Sequence, residues 1–141
     1  MILYEIKIKY ERQTGEENPK GVKEVYLVEG LSCSDVEQRV IEEIKPLIFG
    51  EYEVQHCKKV QYFDIFPNEG GEYWYKGRVE MITIDGDKET RRTVSVLVQA
   101  NTLDDGLFAL RQSLNSYDCE VISIAKSPVV DMLHAISAQN E

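Results

Sequence analysis

The stretch YLVEGLSCSD at residues 26–35 resembles the stretch VLVQANTLDD at residues 96–105. Each opens with apolar, strand-forming residues and continues with a hydroxyl residue, Ser32 or Thr102, three positions before an aspartate. A serine or threonine at this position predicts a helix N-cap, and the helix dipole favours an acidic residue in the first turn. Both stretches therefore predict a strand that leads directly into a helix.

Apolar residues recur at helical spacing after each predicted cap. Such a stripe on one face predicts an amphipathic helix that packs against a core. Pro46 should end the first helix, because proline cannot continue the hydrogen-bonding pattern of a helix interior. The two predicted stripes are Val36, Val40 and Ile44 in the first helix, and Leu103, Leu107, Leu110 and Leu114 in the second.

The similarity between the two stretches extends along most of the chain. Residues 4–8 match residues 75–79, and residues 58–66 match residues 125–133. Matches in the same order over several elements predict an internal duplication. The predicted organisation is a single domain with a first β-β-α-β repeat at residues 1–66, a linker at 67–72, a second repeat at 73–136, and a frayed tail at 137–141.

Residues 2–10 alternate between apolar and polar side chains, which predicts a half-buried antiparallel strand. Chain direction then favours the strand order 2-1-3 within each repeat, with the helix on one face. The predicted fold class is α+β, with mainly antiparallel sheet and pseudo-twofold symmetry. The two repeats are expected to join edges into one sheet of about six strands, which would protect two edges. Ser127 and Pro128 predict a short C-terminal helix.

The chain carries 16 Lys and Arg against 25 Asp and Glu, a net charge of −9. This balance disfavours a general nucleic-acid binder, because phosphate binding relies on lysine and arginine. No apolar run is long enough to span a bilayer, and the first residues lack the features of a signal peptide. We therefore expect a cytoplasmic protein with no membrane association, whose partner is a protein or a second copy of the chain.

Three cysteines, Cys33, Cys57 and Cys119, are present in an odd number and without a CxxC pair. This pattern predicts reduced, half-buried side chains rather than a disulfide or a zinc site. His56 precedes Cys57 directly. Because both fall in a predicted strand, their side chains should point to opposite faces and cannot form a nucleophile–base pair.

The consecutive aromatic residues Tyr73, Trp74 and Tyr75 open the second repeat and are the candidate interaction residues. Alternation along a strand sends Trp74 to the face opposite its two neighbours. One helical layer covers only one face, so Trp74 or Tyr75 is expected to be accessible in the monomer and covered by a partner. The alternative is that Trp74 packs beneath the linker.

Charged side chains at Lys7, Lys9, Lys76 and Arg78 alternate with the apolar residues of the predicted strands, so they should line the helix-free sheet face. If these residues formed a continuous basic stripe, tyrosine and tryptophan could serve as stacking platforms for nucleic-acid bases. A nucleic-acid-associated protein is therefore the second functional hypothesis.

Asp64 and Asp131 occupy matching positions in the two repeats. A shared acid–base site would make the chain a hydrolase-type enzyme, the third hypothesis. Helix caps or ion pairs with Lys59 and Lys126 are the favoured interpretation of these aspartates. The sequence contains no motif for catalysis, a metal or a cofactor, so we expect a protein that is not an enzyme and needs neither a metal nor a cofactor.

Six segments bear on the comparison with known families: residues 4–10, residues 26–29, Ser32, residues 41–43, residues 74–76 and residues 97–100. Together they resemble a family of short bacterial proteins that carry a domain of unknown function. The resemblance implies a bacterial, intracellular protein and supplies no catalytic residues. Together with the charge and the aromatic residues, it favours a binding or adaptor module that acts through protein–protein contacts, including self-association.

Overall fold

Two helices and eight strands make up the computed structural model, which describes residues 2–13, 15 and 18–133. The predicted tail at 137–141 and the end of the second predicted repeat lie outside the described residues. The strands are β1 (Ile2–Arg12), β2 (Lys20–Gly30), β3 (Ile48–Lys59), β4 (Asp64–Phe66), β5 (Tyr73–Asp85), β6 (Lys88–Ala100), β7 (Cys119–Lys126) and β8 (Val129–Leu133). The helices are α1 (Cys33–Ile44) and α2 (Leu103–Ser113), and a 3-10 turn follows α1 at Lys45–Leu47.

The chain folds into two compact units. Each unit combines one α-helix with a sheet, which confirms the α+β class. The first unit comprises the described residues of Met1–Val60 and Val129–Glu141, and the second comprises Gln61–Pro128. Each contains a four-stranded sheet, with the order β3-β1-β2-β8 in the first unit and β4-β6-β5-β7 in the second. The order 2-1-3 predicted for each repeat is present, but the expected single sheet of about six strands is wrong.

A parallel edge strand completes each sheet, and in each case it comes from the other half of the sequence. β4 pairs in parallel with β6, and β8 pairs in parallel with β2. The predicted boundaries at residues 66 and 73 therefore differ from the division in space. A parallel neighbour needs a long connection, and a strand from the distant half of the chain satisfies that requirement.

The helix predicted from Ser127 and Pro128 is wrong, because Val129–Leu133 forms β8. Valine residues favour extended backbone, and the open edge of β2 offers hydrogen-bonding groups to an incoming strand. Pro128 lies directly before the strand, where its missing N–H removes no bond of the ladder.

The two predicted helix caps are confirmed. The Ser32 hydroxyl accepts a hydrogen bond from the Asp35 backbone N–H, and the Thr102 hydroxyl accepts one from Asp105, at 3.1 Å in each case. The Asp35 carboxylate also accepts a bond from the Leu31 N–H, which lowers the pKa of Asp35. The two capping bonds satisfy N–H groups of the first helical turn that have no acceptor inside the helix.

Each helix packs on one face of its own sheet. In the first unit, Val36, Val40 and Ile44 of α1 are buried against alternate residues of β1. In the second unit, Leu110 and Leu114 are buried, while Leu103, predicted to face the core, is exposed. The buried residues of β1 are Tyr4, Ile6, Ile8 and Tyr10, which confirms the predicted alternation.

Candidate functional site

A groove of about 670 Å³ lies in the first unit between α1 and the first part of β3. We call it the α1–β3 groove. Helical spacing places its α1 residues on neighbouring turns of one side of the helix. Its lining residues are Ser34, Glu37, Gln38, Ile41, Glu42 and Lys45 from the helix side, and Ile48, Gly50 and Tyr52 from the strand side.

The apolar part of the groove is continuous with the core of the first unit. Ile41 and Ile48 are half-buried and pack against the core cluster beneath α1. Ile48 and Tyr52 lie opposite Arg12 and Tyr10 on β1, and this register turns both side chains towards the helix. The groove therefore combines a fixed apolar base with a solvent-accessible opening.

One hydrogen bond across the groove joins its two walls. The Tyr52 hydroxyl donates to the Glu37 carboxylate at 3.0 Å, which raises the pKa of the Tyr52 hydroxyl. Gly50 lies at an irregularity in the β1–β3 pairing, with a φ of +80°, and open space surrounds the position of its absent Cβ. Glycine is the residue that adopts this conformation without strain, and its missing side chain leaves the groove open.

The charge of the groove is predominantly negative. Glu37 and Glu42 line it, and Lys45 is the single basic side chain in the lining. Such a surface is suited to a ligand that presents apolar groups together with positive charge.

A disulfide between Cys33 and Cys57 joins the same two elements that form the groove. The prediction that these cysteines are reduced is therefore wrong; Cys119 is free and half-buried, as predicted. Cys33 is the first residue of α1, Cys57 lies near the end of β3 opposite Ile6, and their Cα atoms are 6.0 Å apart. Cysteine count and spacing could not reveal a pair that forms only when the helix packs beside β3. The usable signal was that Cys57 occupies a core-facing position of β3, while Cys33 lies one helical turn before Val36 at the start of α1.

The side chains of His56 and Cys57 point to opposite faces, as predicted. His56 lies opposite Lys7, and its Nε2 is 3.1 Å from the Glu5 carboxylate on the helix-free face. Cys57 packs against the core cluster on the other face. The pair therefore does not form a nucleophile–base arrangement.

Two of the three candidate aromatic residues are buried. Trp74 is 4% exposed and Tyr75 is 5% exposed, so the expectation that one of them is accessible is wrong. Tyr75 packs in the core beneath α2, whereas Trp74 lies on the other face opposite Gln99. Tyr73 is 37% exposed, and the Lys126 ammonium lies 3.5 Å from the centroid of its ring. Of the triplet, only Tyr73 offers an accessible ring.

The four basic residues of the candidate charged face divide between the units. Lys7 and Lys9 belong to β1 of the first unit, and Lys76 and Arg78 belong to β5 of the second. Carboxylates alternate with them on the same faces: Glu5 is 3.7 Å from Lys58, and Glu80 is 2.7 Å from Arg91. Within each sheet, the helix-free face carries charges of both signs.

The aspartates Asp64 and Asp131 lie on edge strands of different sheets. Each carboxylate accepts a 2.8 Å hydrogen bond from the backbone N–H of the next residue, Ile65 or Met132, and both side chains are exposed. Lys126, the expected ion-pair partner of Asp131, contacts the Tyr73 ring. In the ranges that the structure describes, no cluster of His, Cys, Asp and Glu could hold a metal ion, and no helix is long and apolar enough to cross a membrane.

A polar cluster inside the first unit was not found by sequence reasoning. The Glu24 carboxylate accepts hydrogen bonds from the hydroxyls of Tyr10 and Tyr26 and from the Arg12 guanidinium, the last two at 2.9 and 3.0 Å. Both tyrosines are buried, and burial together with the adjacent Glu24 charge raises the pKa of each hydroxyl. The sequence feature that could have revealed this cluster is Glu24, a carboxylate at a core-facing position of β2.

We expect this cluster to make the first unit sensitive to alkali. The folded state retains the tyrosine protons more tightly than the unfolded chain, in which tyrosine ionises near pH 10.0. The contribution of this cluster to the free energy of unfolding should therefore be fully present below pH 10. It should decline as the pH rises towards the folded-state pKa values of the two tyrosines. Unfolding free energies between about pH 8 and 11 should show this decline, and Tyr26→Phe should flatten it by up to about 1.4 kcal/mol per pH unit. Equal slopes for the two proteins would contradict the assignment.

Comparison with protein families gives a match between residues 2–135 and the family described as Domain of unknown function (DUF4494). The chain belongs to this family. The match includes the described residues of both units, so the family's domain comprises the two sheets and the two helices. No curated protein and no solved structure matches the chain significantly.

Proposed function

We propose that this member of the family is a non-enzymatic binding module that acts through protein–protein contacts. The observation that carries the proposal is the α1–β3 groove, which offers half-buried Ile41 and Ile48 beside the carboxylates of Glu37 and Glu42. Apolar contact supplies affinity, and complementary charge selects the partner and speeds its association. The proposed ligand is a segment of a partner protein that carries both apolar and basic side chains.

The net charge of −9 also favours a partner with basic side chains. A strongly acidic protein attracts basic surfaces over distances comparable to the Debye length. Nucleic acid is the weaker alternative, because the carboxylates of Glu5 and Glu80 lie among the basic residues of the two sheets. Self-association and a cytoplasmic location belong to the proposal as further expectations.

We also infer that the two units arose by duplication. Tyr4 and Tyr75, which match in sequence, lie opposite the matching residues Lys59 and Lys126. The β1–β3 and β5–β7 pairings each contain a register shift, after Lys7 and after Arg78, which also correspond in sequence. Identical pairing at matched positions is the expected result of duplicating one supersecondary unit.

Under this inference, the space between α2 and β7 corresponds to the α1–β3 groove. That space is about 420 Å³ and is lined by Arg111, Tyr117 and Glu120 among others. It is smaller, and its lining charges include one arginine and one glutamate. The duplicated units would then have diverged, with the acidic groove of the first unit serving the ligand.

The experiment is fluorescence anisotropy with two synthetic probes, a labelled amphipathic peptide of leucine and lysine and its counterpart with glutamate in place of lysine. The basic peptide should bind and the acidic one should not. Glu37→Gln with Glu42→Gln should weaken binding at least about fivefold, which corresponds to roughly 1 kcal/mol. The charge-matched control, Glu69→Gln with Glu72→Gln on exposed residues of the second unit, should bind as the wild type does.

Equal weakening by the two double variants would indicate nonspecific attraction to net charge and would contradict the groove assignment. A labelled single-stranded oligonucleotide serves as the third probe. If this probe binds more tightly than the basic peptide and loses affinity in Lys7→Gln with Lys9→Gln, the nucleic-acid hypothesis replaces the proposal.

A further inference from the structure

The disulfide occupies a position from which it can influence the whole α1–β3 groove. It links the first residue of α1 to the later part of β3, whereas the groove lies between α1 and the beginning of β3. The link therefore restrains one end of both walls. The Tyr52–Glu37 hydrogen bond is the other direct connection between the walls described above.

The structure of the first unit does not depend on this link alone. Val36, Val40 and Ile44 hold α1 on the sheet through fully buried side chains in the core cluster. The capping bond of Ser32 is independent of the disulfide. Breaking the disulfide should therefore leave the helix formed and seated, with a freer first turn.

Cys33 is the more exposed cysteine of the pair, so we expect an external thiol to attack there. Its residue is exposed, whereas Cys57 is half-buried. A thiolate at the first position of a helix is stabilised by the positive end of the helix dipole, and a more stable thiolate is a better leaving group. These properties favour a bond that forms and breaks reversibly.

We propose that Cys33 and Cys57 form a reversible redox pair that regulates ligand binding in the α1–β3 groove; this inference rests on the function proposed for the groove. The oxidised form is the tighter binder, because the restrained walls lose less conformational freedom when the ligand binds. Reduction frees the first turn of α1 from β3 and lowers the affinity. In a reducing compartment, a disulfide of this kind acts as a sensor rather than as a permanent structural link.

The reductant is a dithiol, either a small molecule or a redox protein with two cysteines. Its thiolate attacks the Cys33 sulfur, the S–S bond breaks, and the electron pair passes to the Cys57 sulfur, which takes up a proton. The second thiol of the reductant then displaces Cys33 as a thiolate and becomes part of the reductant's own disulfide. The protein gains two electrons, and the reductant loses two electrons.

The first test measures the redox state and the binding together. The native protein is equilibrated in buffers of oxidised and reduced dithiothreitol, its free thiols are counted by maleimide mass shift, and the basic leucine–lysine peptide is titrated in each buffer. We expect the thiol count to rise from one to three without denaturant, and the affinity to fall at least about fivefold, or roughly 1 kcal/mol. A pair that resists reduction in the folded protein, or a measurable affinity that is equal in both states, would overturn the proposal.

Matched variants assign the effect to this pair. Cys119→Ser removes the free cysteine and should respond to reduction as the wild type does. Cys33→Ser with Cys57→Ser should bind weakly in both buffers. If the double variant binds as tightly as the oxidised wild type, the disulfide does not control the groove.

Amide hydrogen exchange separates failure of this inference from failure of the proposed function. Reduction should accelerate exchange in the first turn of α1 and in the last part of β3, and should leave α2 unchanged. If no form of the protein binds the peptide but this local acceleration is present, the proposed ligand is wrong and the redox pair stands. If exchange does not change on reduction, the redox inference is wrong.

Discussion

Leu110→Ala should lower the free energy of unfolding by about 4 kcal/mol, near the upper end of values for buried leucine. Leu110 is 0% exposed in the core beneath α2. It packs directly against Gly77, where a Cβ atom would lie 2.6 Å from the Leu110 Cδ2 atom. Because glycine has no side chain that can move into the vacated space, the cavity should collapse poorly, which increases the loss.

Urea denaturation followed by tryptophan fluorescence measures this effect, since Trp74 is the only tryptophan and is buried in the second unit. Phe108→Ala is the control on the same helix, because Phe108 is 66% exposed and should tolerate truncation within about 0.5 kcal/mol. Val40→Ala in α1 of the first unit, followed by circular dichroism, should cost less than Leu110→Ala, because fewer buried atoms are removed. Near-wild-type midpoints for Leu110→Ala and Val40→Ala would show that the core stripes are assigned to the wrong faces.

Loss of the Cys33–Cys57 disulfide should destabilise the first unit by roughly 3 kcal/mol. The bond joins residues that are 24 positions apart, and a cross-link of this length lowers the entropy of the unfolded chain by an amount equivalent to roughly 3 kcal/mol. Cys33→Ser with Cys57→Ser should therefore unfold at a lower urea concentration, monitored by circular dichroism. The double variant should still fold, because the buried residues of α1 remain in place.

Reductant provides an internal control for this prediction. The wild type in excess dithiol should approach the midpoint of the double variant, and the double variant should not respond to reductant. Cys119→Ser should retain the wild-type difference between oxidising and reducing conditions, because Cys119 lies outside the pair. An oxidised wild type no more stable than the double variant would contradict the assignment.

Some features of the fold could be predicted because they depend on residues close together in the sequence. Alternation along β1 specified which side chains are buried, since successive residues of a strand face opposite sides. Ser32 and Thr102 marked the starts of α1 and α2, because a capping hydroxyl contacts the backbone three residues later. The strand order 2-1-3 followed from chain direction and the short connections within each half of the chain.

The candidate site was much less predictable. The α1–β3 groove depends on how closely a helix and a strand approach, and on Gly50, whose role appears only at the irregular pairing of β1 with β3. Trp74 or Tyr75 was expected to be accessible because one helical layer covers only one face of a sheet, yet Tyr75 is buried beneath α2 and Trp74 is buried on the helix-free face. Burial depends on every element near a side chain, whereas strand alternation states only the direction of that side chain.

The sequence by itself determined the α+β class, the two helices with their caps, the core-facing residues of β1 and the separation of His56 from Cys57. Tertiary structure alone decided that β4 pairs with β6 and that β8 pairs with β2. It also decided that Cys33 forms a disulfide with Cys57 and that Glu24 accepts hydrogen bonds from two tyrosines. The physical reason is the range of the interactions. Caps and alternation act within a few residues, whereas an edge strand or a disulfide needs a partner that only the folded chain brings near.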